Sequence, residues 1–230
     1  MTRTAVVIGA GQGMGKATAL KLAQNDMHVY LVGRTPEKLE AVAAEIAATG
    51  GQSTTFAADV ALEGSLDALA AQVAGGLDIL VNCAGEALMN SFETTTFADW
   101  QRIIAENMTT SFVATSTLLP ALRKSDNPTI VLVASKVATK SSGVVAYAAA
   151  KTGLLGFARS LSFVLRNEGI RVVPLCPGPA DTPMRWAATP DMDPNLAISS
   201  ESIAETIWFL ANLPRGTTTA EIIVQAELYQ

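Results

Sequence analysis

The chain has 230 residues, 49% of them hydrophobic and only 16% charged, with 16 lysines and arginines against 21 acids for a net charge of −5. A mildly acidic chain without basic runs excludes the electrostatic footprint of a nucleic-acid or anionic-membrane binder, and no apolar run approaches the ~18 residues that would span a bilayer. The first residues run directly into a strand-like stretch, which leaves no signal peptide and makes a cytoplasmic protein the expectation.

In chain order, the apolar, β-branched run over 4–8 is the first strand. It leads into Gly9-Ala10-Gly11-Gln12-Gly13-Met14-Gly15, and a helix is expected over 14–25. Strand, glycine turn and helix in that order make a phosphate cradle, because glycines let backbone approach a pyrophosphate and a helix N-terminus offers free N–H groups. The second strand, 28–32, opens on His28, the only histidine, and ends in Gly33-Arg34-Thr35. A helix over 36–48 follows, with Thr35 as N-cap and Pro36 in its first turn. The third strand, 53–57, precedes Asp59-Val60, and a helix is expected over 65–74. The fourth strand, 77–82, runs into Asn82-Cys83-Ala84-Gly85, and a long helix over 97–122 carries Asn107. The fifth strand, 129–134, ends at Ser135. A helix over 147–167 opens on Tyr147 and Lys151. Strand 170–175, helix 201–212 and strand 221–225 complete the alternation. Strand–helix alternation means βαβ units. The expected fold is therefore a single-domain α/β Rossmann-type doubly wound parallel sheet of about seven strands, with helices on both faces.

Two features carry chemistry. Tyr147 and Lys151 are four apart, so on a helix they share one face. A neighbouring ammonium favours phenolate and lowers a tyrosine pKa from its usual ~10, toward the range of a general acid or base at neutral pH. The second is the stretch 174–194, which holds six of the ten prolines together with Met184, Trp186 and Met192. A long, apolar, proline-rich loop in a compact domain reads as a lid, here over 179–200. The two cysteines, Cys83 and Cys176, fall at strand ends with no metal-ligand spacing, so no metal is expected and both read as free buried thiols.

Gly9, Gly13 and Gly15 form G-x-x-x-G-x-G. Taken with Ser135, Tyr147 and Lys151, with Asp59-Val60, with Asn82-Cys83-Ala84-Gly85, with Asn107, and with Pro177-Gly178 followed by Thr182, the chain resembles the short-chain dehydrogenase/reductase family over nearly its whole length. Ile8, where threonine is frequent, and Cys83 depart from the pattern without touching the expected chemistry. The resemblance implies four catalytic positions. Ser135 would hold the substrate oxygen and Tyr147 would protonate it. Lys151 would bind the nicotinamide ribose and lower the Tyr147 pKa, and Asn107 would anchor a water behind Lys151. It places Gly9, Gln12, Gly13, Met14 and Gly15 on the pyrophosphate, Asp59 and Val60 at the adenine, and Asn82, Ala84 and Gly85 beneath the cofactor. Pro177, Gly178 and Thr182 flank the nicotinamide.

NAD-binding folds usually carry an acid ~20 residues past the glycine turn. Here Gly33-Arg34-Thr35 has none. A guanidinium suits a phosphate dianion, so NADP(H) is expected, with Arg34 as the 2′-phosphate ligand, Thr35 assisting, and NAD(H) the weaker choice. Met89, Met184 and Trp186 are candidate substrate contacts, Arg185 is the one obvious cation of the lid, and the substrate is expected to be a neutral or weakly polar ketone or aldehyde. The C-terminal stretch 219–230 is closer to relatives acting on small hydroxy acids or simple carbonyls. A homodimer or homotetramer is expected through helices 97–122 and 147–167, with Phe112, Leu118, Leu154, Phe157 and Leu161 on the exposed faces. The rival expectation is a catalytically silent NADP(H)-binding redox sensor.

Overall fold

The computed structural model describes residues 2–140 and 142–229. Seven strands form one parallel sheet in the order β3-β2-β1-β4-β5-β6-β7. They are β1 (Thr4–Ile8), β2 (His28–Gly33), β3 (Gln52–Ala57), β4 (Ile79–Asn82), β5 (Thr129–Val133), β6 (Arg171–Pro177) and β7 (Ile222–Val224). The helices are α1 (Gly13–Ala23), α2 (Pro36–Ala48), α3 (Asp67–Gln72), α4 (Phe97–Ile104), α5 (Thr110–Leu122), α6 (Val145–Leu165), α7 (Pro183–Ala188) and α8 (Ser200–Ala211). Strand side chains alternate between two buried layers, as the twofold period of a strand requires. Ala5, Val7, Val29, Leu31, Val131 and Val173 pack in one layer with residues of α1, α2 and α8. Val6, Ile8, Leu80, Ile130, Leu132 and Val172 pack in the other with α3, α5 and α6. Both faces are therefore covered, and the chain's high apolar content is used there. The strand order reverses between β1 and β4, whose C-terminal ends meet at Ile8 and Asn82. That switch point is where an open α/β sheet leaves a crevice for a ligand.

The expected elements are present, with informative differences. The helix expected over 97–122 is three pieces. α4 begins with a capping box between Thr96 and Asp99, Ala105–Thr109 forms a π-helical turn, and α5 resumes at Thr110. The cause is Asn107. Its Nδ2 donates to the carbonyl of Ile103, 3.0 Å away and four residues back, so a side chain has entered the helix ladder and widened it. The helix expected over 65–74 contracts to α3, six residues long. The proline-rich stretch is not structureless. Its first part extends β6 to Pro177, and it contains α7, N-capped by Thr182, and a short 3₁₀ turn at Pro194–Leu196. The ends of 179–200 are tied together, with Ile198 N donating to Pro179 O and Asp181 N to Ile198 O, each at 2.8 Å.

Leu118 and Leu154, expected on the outer faces of their helices, are 0% and 1% exposed and belong to the sheet-facing core. Phe157 and Leu161 are partly buried against the same layer. Phe112 does project, at 58% exposure, and meets Phe157 edge-on at 6.4 Å.

Candidate active site

A cleft of about 220 Å³ opens at the C-terminal ends of β1–β4. Gly9, Gln12, Gly13, Met14 and Gly15 line it from the β1–α1 turn. Arg34 and Thr35 come from the end of β2, Asp59 and Val60 from beyond β3, and Ala84 and Gly85 from beyond β4. Thr182 and Met184 close it from the other side.

The turn fits a pyrophosphate. Gly9 has φ +79, and a side chain there would put its Cβ 2.8 Å from the backbone nitrogen of Ala84. A Cβ on Gly15 would stand 2.1 Å from the Gly9 carbonyl oxygen. α1 has no side-chain cap and no acid in its first turn, whereas α4 and α8 are capped by Thr96 and Ser199. Its leading N–H groups are left for a ligand, and an anion is what a helix N-terminus favours.

At the end of β2, Thr35 occupies the N-cap of α2 with Pro36 behind it, but its side chain makes no capping bond. Thr35 lines the cleft together with Lys38, whose Nζ donates to Gln12 Oε1 at 2.7 Å. Arg34 is 59% exposed along its side chain and donates to Glu106 Oε1 at 2.5 Å. Lys38 and Glu106 both line the cleft, and no sequence motif marks either of them. Lys38 is one turn into a helix whose charged face looked ordinary. Glu106 sits in the π-helical turn, and its direction follows only from that widened geometry.

Asn82 does not line the cleft. It is buried, its Nδ2 donating to Ser111 Oγ at 2.8 Å and its Oδ1 accepting from Ala84 N at 2.9 Å. It braces the loop that carries Ala84 and Gly85. Pro177 and Gly178 also lie outside the lining. Gly178 N donates to Val224 O at 2.8 Å, and a Cβ on Gly178 would lie 2.9 Å from Gln225 Cβ and 3.5 Å from Tyr229 Cδ1. Tyr229 places its ring 4.6 Å from Lys136 Nζ and 5.5 Å from Lys140 Nζ. The C-terminal segment thus ties the turn after Ser135 to Gly178, a connection with no local signal in the sequence. Of the candidate substrate contacts only Met184 reaches the cleft. Trp186 donates from Nε1 to Asp181 at 2.7 Å, and Met89 is half-buried in the loop after β4.

The four catalytic candidates lie outside the cleft lining, Asn107 and Lys151 directly behind Gly85. A Cβ on Gly85 would lie 2.6 Å from Asn107 Oδ1 and 3.2 Å from Lys151 Nζ, so both groups face that loop. Asn107 is fully buried. Its Nδ2 serves the carbonyls of Glu86 and Ile103, and its Oδ1 accepts from Glu86 N. One acceptor lone pair remains. Lys151 is 4% exposed, donates to Val133 O at 3.0 Å, and holds Nζ 5.9 Å from the Tyr147 ring centroid. Ser135 caps the 3₁₀ turn Lys136–Thr139, its Oγ accepting from Val137 N at 3.2 Å. The nearby Ser135 hydroxyl, together with the charge of Arg185, pulls the phenol pKa down.

Burial is nevertheless the largest influence on Tyr147, and its pKa lies above the ordinary value. This corrects the expectation that Lys151 leaves it lowered. The Lys151 ammonium is turned to a backbone carbonyl, and the cation that acts on the phenol is Arg185 from α7. Lys151 itself is depressed to about 8, chiefly by burial, with Cys83 and Cys176 pulling the other way. Burial pushes Cys83 up to about 12 and Cys176 to about 11, which keeps both as thiols.

Lys151 should therefore be legible in stability. Below about pH 8 it is charged in both the folded and unfolded chain, and its burial cost is fully present. Above that, the folded state sheds the proton while the unfolded state keeps it up to the ordinary lysine value of 10.5. The unfolded state then binds more protons, so stability rises with pH across that window, by at most ~1.4 kcal/mol per pH unit. Chemical unfolding of wild type and Lys151→Met from pH 7 to 10 should show wild type gaining on the variant above pH 8. A constant gap would overturn the assignment. The cysteines, common to both proteins, largely cancel in the difference.

The profile of the family described as short chain dehydrogenase matches residues 3–193. The chain belongs to that family. Among curated members, a D-beta-hydroxybutyrate dehydrogenase of Rhizobium meliloti strain 1021 is 30% identical over 100% of this chain and 91% of its own length. A dehydrogenase/reductase structure from Sinorhizobium meliloti 1021 is 29% identical, covers 98% of this chain and 95% of its own, and superposes with TM-score 0.85. An alcohol dehydrogenase from the archaeon Thermococcus sibiricus, complexed with 5-hydroxy-NADP, has TM-score 0.90 at 22% identity over 100% of this chain and 98% of its own. Membership makes the chain an oxidoreductase of the short-chain type. Among the described residues no helix is long and apolar enough to cross a membrane.

Proposed function

We propose that this oxidoreductase interconverts a small ketone or aldehyde and its alcohol, with NADP(H) as the preferred cofactor. The reading rests above all on the gathering of Ser135, Tyr147 and Lys151 next to a glycine-lined cleft. The pyrophosphate is held by the β1–α1 turn and the uncapped start of α1, the adenine by Asp59 and Val60, and the 2′-phosphate by Arg34 and Thr35. The bound nicotinamide supplies or accepts the hydride. Ser135 donates a hydrogen bond to the substrate oxygen and fixes it beside the phenol. Tyr147, raised by burial, holds its proton at neutral pH, which is the form needed to protonate a carbonyl oxygen during reduction. Lys151, still charged at pH 7, binds the nicotinamide ribose and stabilises the phenolate that forms. Asn107 offers its remaining lone pair to a water that returns the proton. The segment 179–200, closed on itself at its base, acts as the lid, with Met184 and Arg185 facing the reaction. In the cytoplasm the chain works as a homodimer or homotetramer through α5 and α6, where Phe112 projects, and a single-chain mass in light scattering would count against that.

Steady-state oxidation of NADPH, with NADH in parallel, across ketones, aldehydes, quinones and oxo-esters tests the reading. Turnover with an NADPH advantage is expected. Tight NADPH binding without turnover on the whole panel would favour a silent cofactor sensor instead.

A further inference from the structure

The acid missing from the end of β2 is supplied in space by another element. Glu106 lines the cofactor cleft and accepts from Arg34 Nη1 at 2.5 Å. Its side chain is 15% exposed, against 59% for Arg34. The backbone that carries Glu106 is also well held. Its backbone carbonyl accepts from Thr110 Oγ1 at 3.0 Å, and its neighbour Asn107 is locked by bonds to Ile103 and Glu86. Arg34 pairs with no other acid among the described residues.

We propose that Glu106 is a cofactor-discriminating residue that moderates the preference Arg34 would otherwise impose, so that the chain takes both NADP(H) and NAD(H). This rests on the reading that Arg34 meets the ribose 2′ position. A phosphate dianion drawn to Arg34 is drawn equally toward the Glu106 carboxylate. The two anions repel, and the guanidinium fork is divided between them. A 2′-hydroxyl, by contrast, is a donor that a carboxylate accepts, which is the role of the usual acid after β2. The π-helical turn at Ala105–Thr109 therefore serves two ends of the cofactor at once. It directs Asn107 toward Lys151 and Gly85, and Glu106 toward Arg34.

Calorimetric titration of NADP+, NAD+, 2′,5′-ADP and ADP into wild type, Glu106→Gln and Arg34→Leu tests this without turnover. Glu106→Gln keeps the shape and removes the charge. It should shift the NADP+ to NAD+ affinity ratio at least fivefold toward NADP+, with the same shift between 2′,5′-ADP and ADP. Glu106→Asp should stay within twofold of the wild-type ratio, and Glu106→Thr repeats the neutral arm should the glutamine variant not fold. An unchanged ratio, or one moved toward NAD+, overturns the role of Glu106. Arg34→Leu is the separate arm. It should move the ratio at least tenfold toward NAD+, and no movement there would instead overturn the placement of Arg34 at the 2′ position.

Discussion

Tyr147→Phe is expected to lower kcat for carbonyl reduction by ~10²–10⁴-fold, the usual worth of a positioned proton donor, and to leave NADPH affinity within a few-fold of wild type. The substitution removes one oxygen and keeps the ring that packs against Ile103, Ala146 and Ala150. The bond from Val137 N that holds Ser135 Oγ is untouched, so the chain should stay folded. The loss should fall on kcat rather than on KM, since the proton moves in the transition state. The pH profile supplies a second readout. Because burial raises the phenol above its ordinary ~10, the loss of wild-type reduction caused by its ionisation should lie in the strongly alkaline range, and residual activity in the phenylalanine variant should lack that limb. Arg185→Ala should move the wild-type limb upward, because Arg185 is the cation that pulls the phenol down. Near-normal turnover by Tyr147→Phe would remove the phenol from the chemistry and leave Ser135 and bound water as the remaining donors.

The fold was legible because every level agreed. Apolar β-branched runs, glycine or proline at the turns and amphipathic helices alternate along the chain, and the β-branched runs read as strands lie in the sheet. The catalytic candidates were legible for a related reason: they are short-range patterns, such as Tyr147 and Lys151 one helical turn apart. What escaped depends on contacts between distant segments. The π-helical turn arises from one side chain, Asn107, which enters the helix ladder at Ile103 O and is held there by Glu86 across a loop, and no periodicity announces it. Glu106 is hidden by the same event. In a regular helix, position 106 reads as one more solvated acid. Asn82, which the resemblance places beneath the cofactor, spends its side chain on Ser111 and the backbone of Ala84, and that bracing role follows only from partners distant in the chain. The apolar helix faces misled. Leu118 and Leu154 suit an interface as well as they suit a sheet, and only their burial against the sheet decides it. The Tyr147 pKa is the sharpest case. The four-residue spacing to Lys151 is real, but Lys151 Nζ is committed to Val133 O, and the charge that counts comes from a helix more than thirty residues away in the chain.

Gly15→Ala is expected to be the most damaging single methyl in the protein. Gly15 is buried two residues into α1, and its added Cβ would lie 2.1 Å from the carbonyl oxygen of Gly9, 2.7 Å from its carbonyl carbon and 3.2 Å from Ala10 Cα. All three are backbone atoms, so no rotamer change relieves the clash, and α1 must lift from the end of β1. The same helix packs Ala19, Leu22 and Ala23 into the core shared with α8, so that movement is resisted along its length. Overpacking of a rigid site costs ~1–3 kcal/mol and at times more, and a backbone clash belongs at the upper end. For a chain of this size that corresponds to a Tm lower by roughly 6–12 °C. Cofactor affinity should fall as well, because the shift displaces the N–H groups at the start of α1 from the Gly9 turn. Gly156→Ala is the matched control. Its methyl meets no atom within 4 Å, and within α6 alanine is favoured over glycine by ~1 kcal/mol, so that variant should be neutral or slightly stabilised. If both alanines left Tm and NADP+ binding unchanged, the close packing of α1 on the glycine turn would not be what shapes the cradle. A large loss confined to Gly15→Ala would tie stability and cofactor binding to one contact between a helix N-terminus and the strand that precedes it.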